Sequence, residues 1–307
     1  MYHRVIPRKE AQPGLQAGMY VEPDTFEMQI QYLKNSFKII PFSQIYAKLN
    51  NKEAMNSNLP ICIITFDDGW LDFFKYAYPV LLKHEIPATL FLPTEFIGSE
   101  NMFWTDEVAY IVSMKNSVSE RFPEANRLKN FKLNNLVNLK GTPDSQIEEM
   151  ISTLKGYGHE DILKIIKELK EYWGINSYSK ERSFLNWDEI RLMANSGLVT
   201  FGSHTANHRI LVHISEKEIV DELNESKNRL LSEGVVKNSF IPFCYPNGDY
   251  DERVVQIVRK SGYHVAVTTE DGWNRVDTPK FILNRVAIHQ DMSSNKELFK
   301  CRIAGIF

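Results

Sequence analysis

The sequence predicts an α/β protein, a distorted (β/α) barrel of about seven to eight mostly parallel strands with a helical insertion. Apolar strand-like runs alternate with helical patterns along most of its 307 residues, and polar side chains follow several of the predicted strands. Strands separated by helices pair in parallel with the helices outside, and about eight strands are too many for a small open sheet. We therefore expect one barrel-like domain spanning residues 1–307.

The predicted elements follow from local signals in order along the chain. A short strand precedes His3, and further strands are predicted at residues 38–40, 61–66, 88–92, 198–201, 239–244, 263–268 and 281–288. Helices are predicted from Asp24, Ser43, Leu71, Trp187, Ser215, Glu252 and Asn295. Capping-box patterns mark several of these helix starts, and Pro79 predicts a kink in the third helix.

The alternation stops between about residues 98 and 181. Two helices are predicted there, at 145–154 and 160–173, and strand signals are weak. The second helix places isoleucines and Trp173 on one stripe with lysines opposite, which is typical of a helix packed on a core. We interpret 98–181 as a helical insertion in a single catalytic domain.

Bulk composition excludes several classes of protein. The formal charge of −3 and the pI of about 6.3 carry no nucleic-acid footprint. The three cysteines, Cys62, Cys244 and Cys301, are far apart, which fits a reducing compartment. The N-terminus lacks the apolar core of a signal peptide, and no segment has the length of a transmembrane helix. We therefore expect a cytoplasmic protein without an integral membrane segment.

Two adjacent carboxylates, Asp67 and Asp68, follow the apolar strand at 61–66. Neighbouring residues on an extended chain point in opposite directions, so one acid can hold a metal ion while the other handles protons. Asp-Asp-Gly alone is more often an ordinary turn. The interpretation as a metal site therefore depends on which side chains follow the other predicted strands.

His204 and His208 supply two imidazoles after another predicted strand, while Tyr245 and His289 follow two more. Each alone has an ordinary explanation as a surface, packed or rim residue. In parallel barrels, however, the chemistry sits at the carboxyl ends of the strands, where all these residues are predicted to lie. One carboxylate and two imidazoles leave coordination positions open, as catalytic metal sites require and structural zinc sites do not. We predict a catalytic divalent metal site.

The motifs resemble those of the polysaccharide deacetylase family, the NodB-like carbohydrate esterases. The resemblance is carried by Thr-Phe-Asp-Asp-Gly at 65–69, Ser-His-Thr-x-x-His at 203–208 and Tyr-Pro-x-Gly at 245–248. It extends to residues 2–5 and 285–289, so it covers most of the chain outside the insertion. It implies a distorted barrel that hydrolyses N-acetyl groups on the sugars of a glycan or glycan precursor, releasing acetate.

The resemblance also implies roles for individual residues. It assigns Asp68, His204 and His208 as metal ligands and Asp67 as the catalytic base. It implies that the Tyr245 backbone N–H helps to bind the oxyanion and that His289 is the general acid. The implied metal is Zn²⁺, for which Co²⁺ or Ni²⁺ could substitute.

The sequence departs from the family pattern around residue 244. Many members have an arginine there that braces the catalytic carboxylate, and a later tyrosine, whereas this chain has Cys244 and Asn247. We hypothesise that Arg285 supplies the missing guanidinium. Trp70 adjoins the Asp-Asp turn and is the predicted sugar-stacking residue, and His3 is a second candidate for the substrate cavity.

More than one function is compatible with the sequence. An O-acetyl esterase or a sugar deformylase would use the same residues. A noncatalytic carbohydrate-binding barrel and a structural metal site are also compatible with the fold, although the intact set of two aspartates and two histidines argues against a noncatalytic barrel. Neither the particular acetylated sugar, the metal nor the oligomeric state follows from the sequence.

Overall fold

The computed structural model describes residues 1–10, 15, 17–51, 57–117, 134–175, 182–236 and 240–306. The chain forms two compact units. The first comprises residues 1–10, 17–100 and 182–307, and the second comprises residues 11–16 and 101–181. The second unit nearly coincides with the predicted insertion at 98–181. The assignment of residues 1–307 to a single catalytic domain stays a prediction.

The first unit is built on parallel strands. They are β1 Arg4–Val5, β2 Tyr20–Val21, β3 Lys38–Ile39, β4 Ile61–Cys62, β5 Ile64–Phe66, β6 Ala88–Leu92, β7 Val199–Ser203, β8 Pro242–Cys244 and β9 Val265–Val267. The main sheet has the order β5-β6-β7-β8-β9, and β1-β2 and β3-β4 form two small parallel sheets. All pairs are parallel, which confirms the predicted class, a half-barrel sheet of the distorted (β/α) type.

The main sheet has five strands among the described residues, fewer than the seven to eight predicted for the barrel. The predicted strand at 281–288 is wrong as a continuous element, because only Leu283 forms a bridge, to Val267. The segment still binds its neighbours. The N–H of Ile288 donates to the Met1 carbonyl, and the N–H of Tyr2 donates to Thr65. Irregular backbone, not a regular strand, therefore lies between the edges β9 and β5.

Helices surround the sheet of the first unit. They are α1 Pro23–Ser36, α2 Phe42–Asn51, α3 Tyr78–His84, α8 Trp187–Ser196, α9 Glu216–Ser232, α10 Glu252–Lys260, α11 Gln290–Ser293 and α12 Lys296–Ile303, with a π-helical turn at Phe73–Ala77. Asn186 and Ser215 form capping boxes as predicted. The capping box predicted at Asp24 is wrong, because α1 begins at Pro23 and its N-cap residue, Glu22, makes no side-chain capping bond. Pro79 lies in the first turn of α3, so the predicted kink is a π-turn followed by a new helix.

The second unit is helical as predicted. It contains α4 Trp104–Ser117, α5 Asn134–Val137, α6 Pro143–Leu154 and α7 His159–Trp173. The inner stripe of α7 packs in a core of its own with α4 and α6, and Gly174 ends α7 in the left-handed conformation. None of the described helices combines the length and the apolar character needed to cross a membrane.

Candidate active site

A tight turn after β5 presents the two aspartates. Asp68 has φ of 75° and Gly69 has φ of 68°, so the chain reverses immediately after Phe66. A Cβ atom on Gly69 would lie 2.9 Å from the Leu92 side chain, which explains the glycine. Both carboxylates are buried, and the N–H of Asp67 donates to the Tyr2 carbonyl at 3.0 Å. Strain in the turn is therefore offset by fixed backbone contacts.

Asp68, His204 and His208 converge as predicted. Asp68 Oδ1 lies 3.4 Å from Nε2 of His204 and 3.4 Å from Nε2 of His208. The three donor atoms all lie within 4.8 Å of one another. The pKa of Asp68 is well below its usual value: burial alone would raise it, but hydrogen bonds from the two imidazoles lower it more. One carboxylate and two imidazoles in this arrangement fit a divalent ion with open positions.

The ligand atoms are oriented by a surrounding layer of hydrogen bonds. His204 Nδ1–H donates to the Cys244 carbonyl at 2.9 Å, which leaves the Nε2 lone pair directed towards Asp68. Trp70 Nε1–H donates to Asp68 Oδ2 at 3.0 Å, so Oδ1 is the oxygen that faces the histidines. This ordering is what a preformed metal site requires.

The sugar-stacking role predicted for Trp70 is wrong. Its side chain is only 4% exposed, with Phe184 stacked on the indole at a centroid distance of 4.7 Å. The Arg4 guanidinium lies 4.4 Å from the ring centroid. Neither face is open to a sugar, and the indole instead holds Asp68.

Glu222 of α9 is a site residue that sequence reasoning missed. Its carboxylate accepts hydrogen bonds from the N–H groups of Ala206 and Asn207 and from the Asn207 side-chain amide, at 2.8 to 3.0 Å. These bonds hold the loop from His204 to His208, in which Thr205 and His208 adopt positive φ. The signal in the sequence was a carboxylate on the apolar face of α9, beside Leu223.

Arg285 braces Asp67 as hypothesised. Its Nη1 and Nη2 donate to Oδ1 and Oδ2 of Asp67 at 2.7 and 2.8 Å, while Nε donates to the Thr268 carbonyl at 2.7 Å. Burial alone would raise the pKa of Asp67, but the guanidinium holds it at about 2. Cys244 packs against both, with Sγ 3.2 Å from Arg285 Nη2. The guanidinium thus comes from the irregular segment that follows β9, not from the strand end at residue 244.

His3 and His289, the two candidate histidines outside the Asp68 cluster, lie at different distances from the carboxylates. His3 Nε2 lies 4.0 Å from Asp67 Oδ2, and burial lowers the pKa of this imidazole. His289 is the N-cap residue of α11, and its Nδ1 lies 3.9 Å from Asp291 Oδ1. Among the described residues, His289 forms no ion pair with Asp67 or Asp68. The structure therefore brings His3, not His289, to the carboxylate pair.

Tyr245 lies at the end of β8 but its polar groups are engaged. Its backbone N–H donates to the Val267 carbonyl at 3.3 Å, and its hydroxyl donates to the Phe281 carbonyl at 3.0 Å. Oxyanion binding by this N–H would replace a long hydrogen bond within the sheet. The role stays a prediction.

The first unit thus combines a parallel half-barrel sheet, an Asp-His-His cluster that could hold a divalent ion, and a second carboxylate braced by an arginine. The chain belongs to the polysaccharide deacetylase family, whose family model matches residues 55–124 and 140–266. The resemblance found in the sequence is thereby confirmed.

Curated relatives are similar over part of their length. YxkH of Bacillus subtilis strain 168 is 23% identical over 233 residues, which is 76% of this chain and 53% of that protein. The poly-β-1,6-N-acetyl-D-glucosamine N-deacetylase of Staphylococcus aureus strain MSSA476 is 26% identical over 183 residues, 58% of this chain and 59% of that protein. The chain thus spans little more than half the length of these relatives.

A solved structure supports the fold over nearly the whole chain. The Streptococcus pyogenes deacetylase PplD, in complex with acetate, has a TM-score of 0.61 and 21% identity, covering 99% of this chain and 96% of that one. IcaB from Ammonifex degensii has a TM-score of 0.58 and 18% identity, covering 95% and 91%. At these identities the likeness establishes the fold.

Proposed function

We propose that this protein is a metal-dependent N-deacetylase that removes acetyl groups from the amino sugars of a glycan. The observation that carries the proposal is that two adjacent carboxylates have different partners. Asp68 faces two imidazoles, whereas Asp67 is ionised and bound by Arg285, with a carboxylate oxygen within 4.8 Å of a ring nitrogen of His204. Amide hydrolysis needs both a Lewis-acid site and a base beside it.

Asp68, His204 and His208 would hold the ion. Bound there, a divalent ion would polarise the acetyl carbonyl and lower the pKa of water. Nitrogen-rich donor sets with one carboxylate favour zinc, and Co²⁺ or Ni²⁺ suit the same donors. Zinc is therefore the proposed resident metal.

The protein's own residues would manage the protons. Asp67, ionised because of Arg285, would accept a proton from the attacking water. The leaving amine must then gain a proton, and His3 is the imidazole beside Asp67, at 4.0 Å. Because burial lowers its pKa, this ring would start neutral, take up the water-derived proton from Asp67 and pass it to the nitrogen of the leaving amine. We propose His3 as the proton donor in preference to His289.

The names of relatives support a particular substrate class. The Staphylococcus aureus relatives are poly-β-1,6-N-acetyl-D-glucosamine N-deacetylases. A β-linked N-acetylglucosamine polymer or its precursor is therefore the first substrate to test. Because this chain spans only 59% of such a relative, the assay must include short oligomers as well as polymer.

The deciding experiment measures acetate and free amine from N-acetylglucosamine oligomers with zinc-loaded protein, and uses Asp67→Asn as the inactive control. We expect equimolar acetate and amine from the wild type. Acetate with free hydroxyl from O-acetylated sugars alone would identify an esterase, and formate release would identify a deformylase. Inactivity of metal-loaded protein on all these substrates would favour a noncatalytic carbohydrate-binding barrel.

A further inference from the structure

A cavity of about 670 Å³ lies in the first unit, and none of the proposed metal ligands lines it. Its lining includes residues 57–65, which contain β4, and residues 272–276 and 283–286. Voids in native cores are rarely larger than a water molecule, whereas ligand pockets have volumes of several hundred Å³. The space is therefore of the size that a small-molecule ligand fills.

Apolar surface continues from the floor of the cavity to its mouth. Val267 and Phe299 line the buried part, while Leu59, Trp273 and Val276 line it and are exposed, Trp273 by 54%. Trp273 is fixed in place because its indole N–H donates to the Ile303 carbonyl at 2.9 Å. If the occupant were a partner protein with a flat surface, it would contact only the exposed residues at the mouth. A narrow hydrocarbon chain would fill the interior as well.

The charged side chains that line the cavity are all positive. Its lining contains two arginines and no Asp, Glu or Lys. Arg285 is already bound by Asp67. Arg275 is exposed, and among the described residues its guanidinium forms no ion pair, while its backbone N–H donates to Thr278. An anionic group at the mouth would thus meet a cation and no repelling carboxylate from the lining.

We propose that this cavity binds a single-chain anionic amphiphile of the fatty-acid class, with the hydrocarbon chain inside and the carboxylate at Arg275. Each methylene that is buried strengthens binding by about fourfold, so affinity depends strongly on chain length. The exposed charge pair adds about two- to fivefold. This inference does not depend on the proposed deacetylase activity.

Binding is measured with the fluorescent carboxylate parinaric acid, displaced by palmitate, by the shorter laurate and by the uncharged hexadecanol. We expect one saturable site per chain. Palmitate should bind at least about tenfold more tightly than laurate, and about two- to fivefold more tightly than hexadecanol. Absence of saturable binding, or uptake of many equivalents without chain-length preference, overturns the proposal.

Two variants locate the site. Arg275→Gln should weaken palmitate by about two- to fivefold and leave hexadecanol unchanged. Val276→Trp, which narrows the mouth, should weaken both by about tenfold or more because fewer methylenes enter. Arg259→Gln, on α10 and away from the lining, should change neither.

Melting curves and acetate release of all three variants are compared with those of the wild type. Because Arg275 is exposed, its substitution tests the proposal even if the Val276 variant does not fold. Equal palmitate affinity in a folded Arg275→Gln protein overturns the assignment.

Discussion

Arg285 and Asp67 form a buried, bidentate ion pair with N–O distances of 2.7 and 2.8 Å, although the two residues are 218 positions apart. The pair replaces the bracing arginine that the family usually carries at the position of Cys244, whose sulfur lies 3.4 Å from Asp67 Oδ2. A small thiol at residue 244 leaves the volume that the Arg285 guanidinium needs. Arg285 therefore supplies the guanidinium that the family resemblance places at residue 244.

Arg285→Met should lower kcat by about 100-fold or more, because general-base catalysis contributes factors of this size. Without the guanidinium, burial raises the pKa of Asp67, so the acidic limb of the pH–rate profile should move to higher pH. Zinc content should stay at the wild-type level, since Arg285 does not contact Asp68. Steady-state kinetics across pH and metal analysis measure these effects.

Arg285→Lys is the matched control for charge without the bidentate geometry, and it should fall between wild type and Arg285→Met. Because one partner of a buried pair is lost, Arg285→Met should also cost about 3–5 kcal/mol of unfolding free energy. Turnover must therefore be measured well below the melting temperature. Wild-type turnover by the folded Met variant would contradict the assigned role.

Trp70→Phe should weaken zinc binding by about 10-fold. This is the lower end of the loss in metal affinity that follows when a hydrogen bond to a metal ligand is removed. Phenylalanine keeps the aromatic contact with Phe184 but cannot donate to Asp68 Oδ2. Competition with a chelator measures the affinity. The control is Trp187→Phe, because the Trp187 indole N–H is buried and has no hydrogen-bond partner among the described residues. Equal zinc affinities in the two variants would show that the bond to Asp68 is unimportant.

The convergence of the three proposed metal ligands could be predicted from the sequence. Asp68, His204 and His208 were expected at the carboxyl ends of parallel strands, and the fold brings these ends together. The pattern could not separate an indole that faces a sugar from one that faces a carboxylate. That distinction for Trp70 depends on Phe184, which reaches the ring only through tertiary packing.

The predicted strand at 281–288 shows a second limit. Phe281, Leu283 and Arg285 are buried in alternation, as in a strand, but only Leu283 forms a bridge, and Arg285 binds Asp67. Glu222 shows a third limit, because its partners lie 15 and 16 positions earlier on a loop. Hydrophobic periodicity reports which face of an element is buried, but not which polar groups are paired there.

Glu222→Gln should destabilise the protein by about 1–3 kcal/mol, because buried N–H groups of the metal-binding loop lose part of their acceptor. Zinc affinity should fall as well, since Thr205 and His208 hold positive φ only while the loop is fixed. Chemical denaturation and chelator competition test the two effects. Glu225→Gln, on the exposed face of the same helix, should change neither. A Glu222 variant with full stability and full zinc affinity would contradict the role of this carboxylate.

His3→Gln should lower kcat by about 100-fold, whereas His289→Gln should have a much smaller effect, because only His3 lies beside Asp67. Both variants should keep their zinc, since neither imidazole belongs to the Asp68 cluster. The comparison is sharpest with two amide substrates whose leaving amines differ in basicity. Loss of a proton donor should slow the substrate with the more basic leaving amine more severely. If His289→Gln shows this selective loss and His3→Gln does not, the general acid is His289, as the family resemblance implied, and its imidazole must reach the site in the substrate complex.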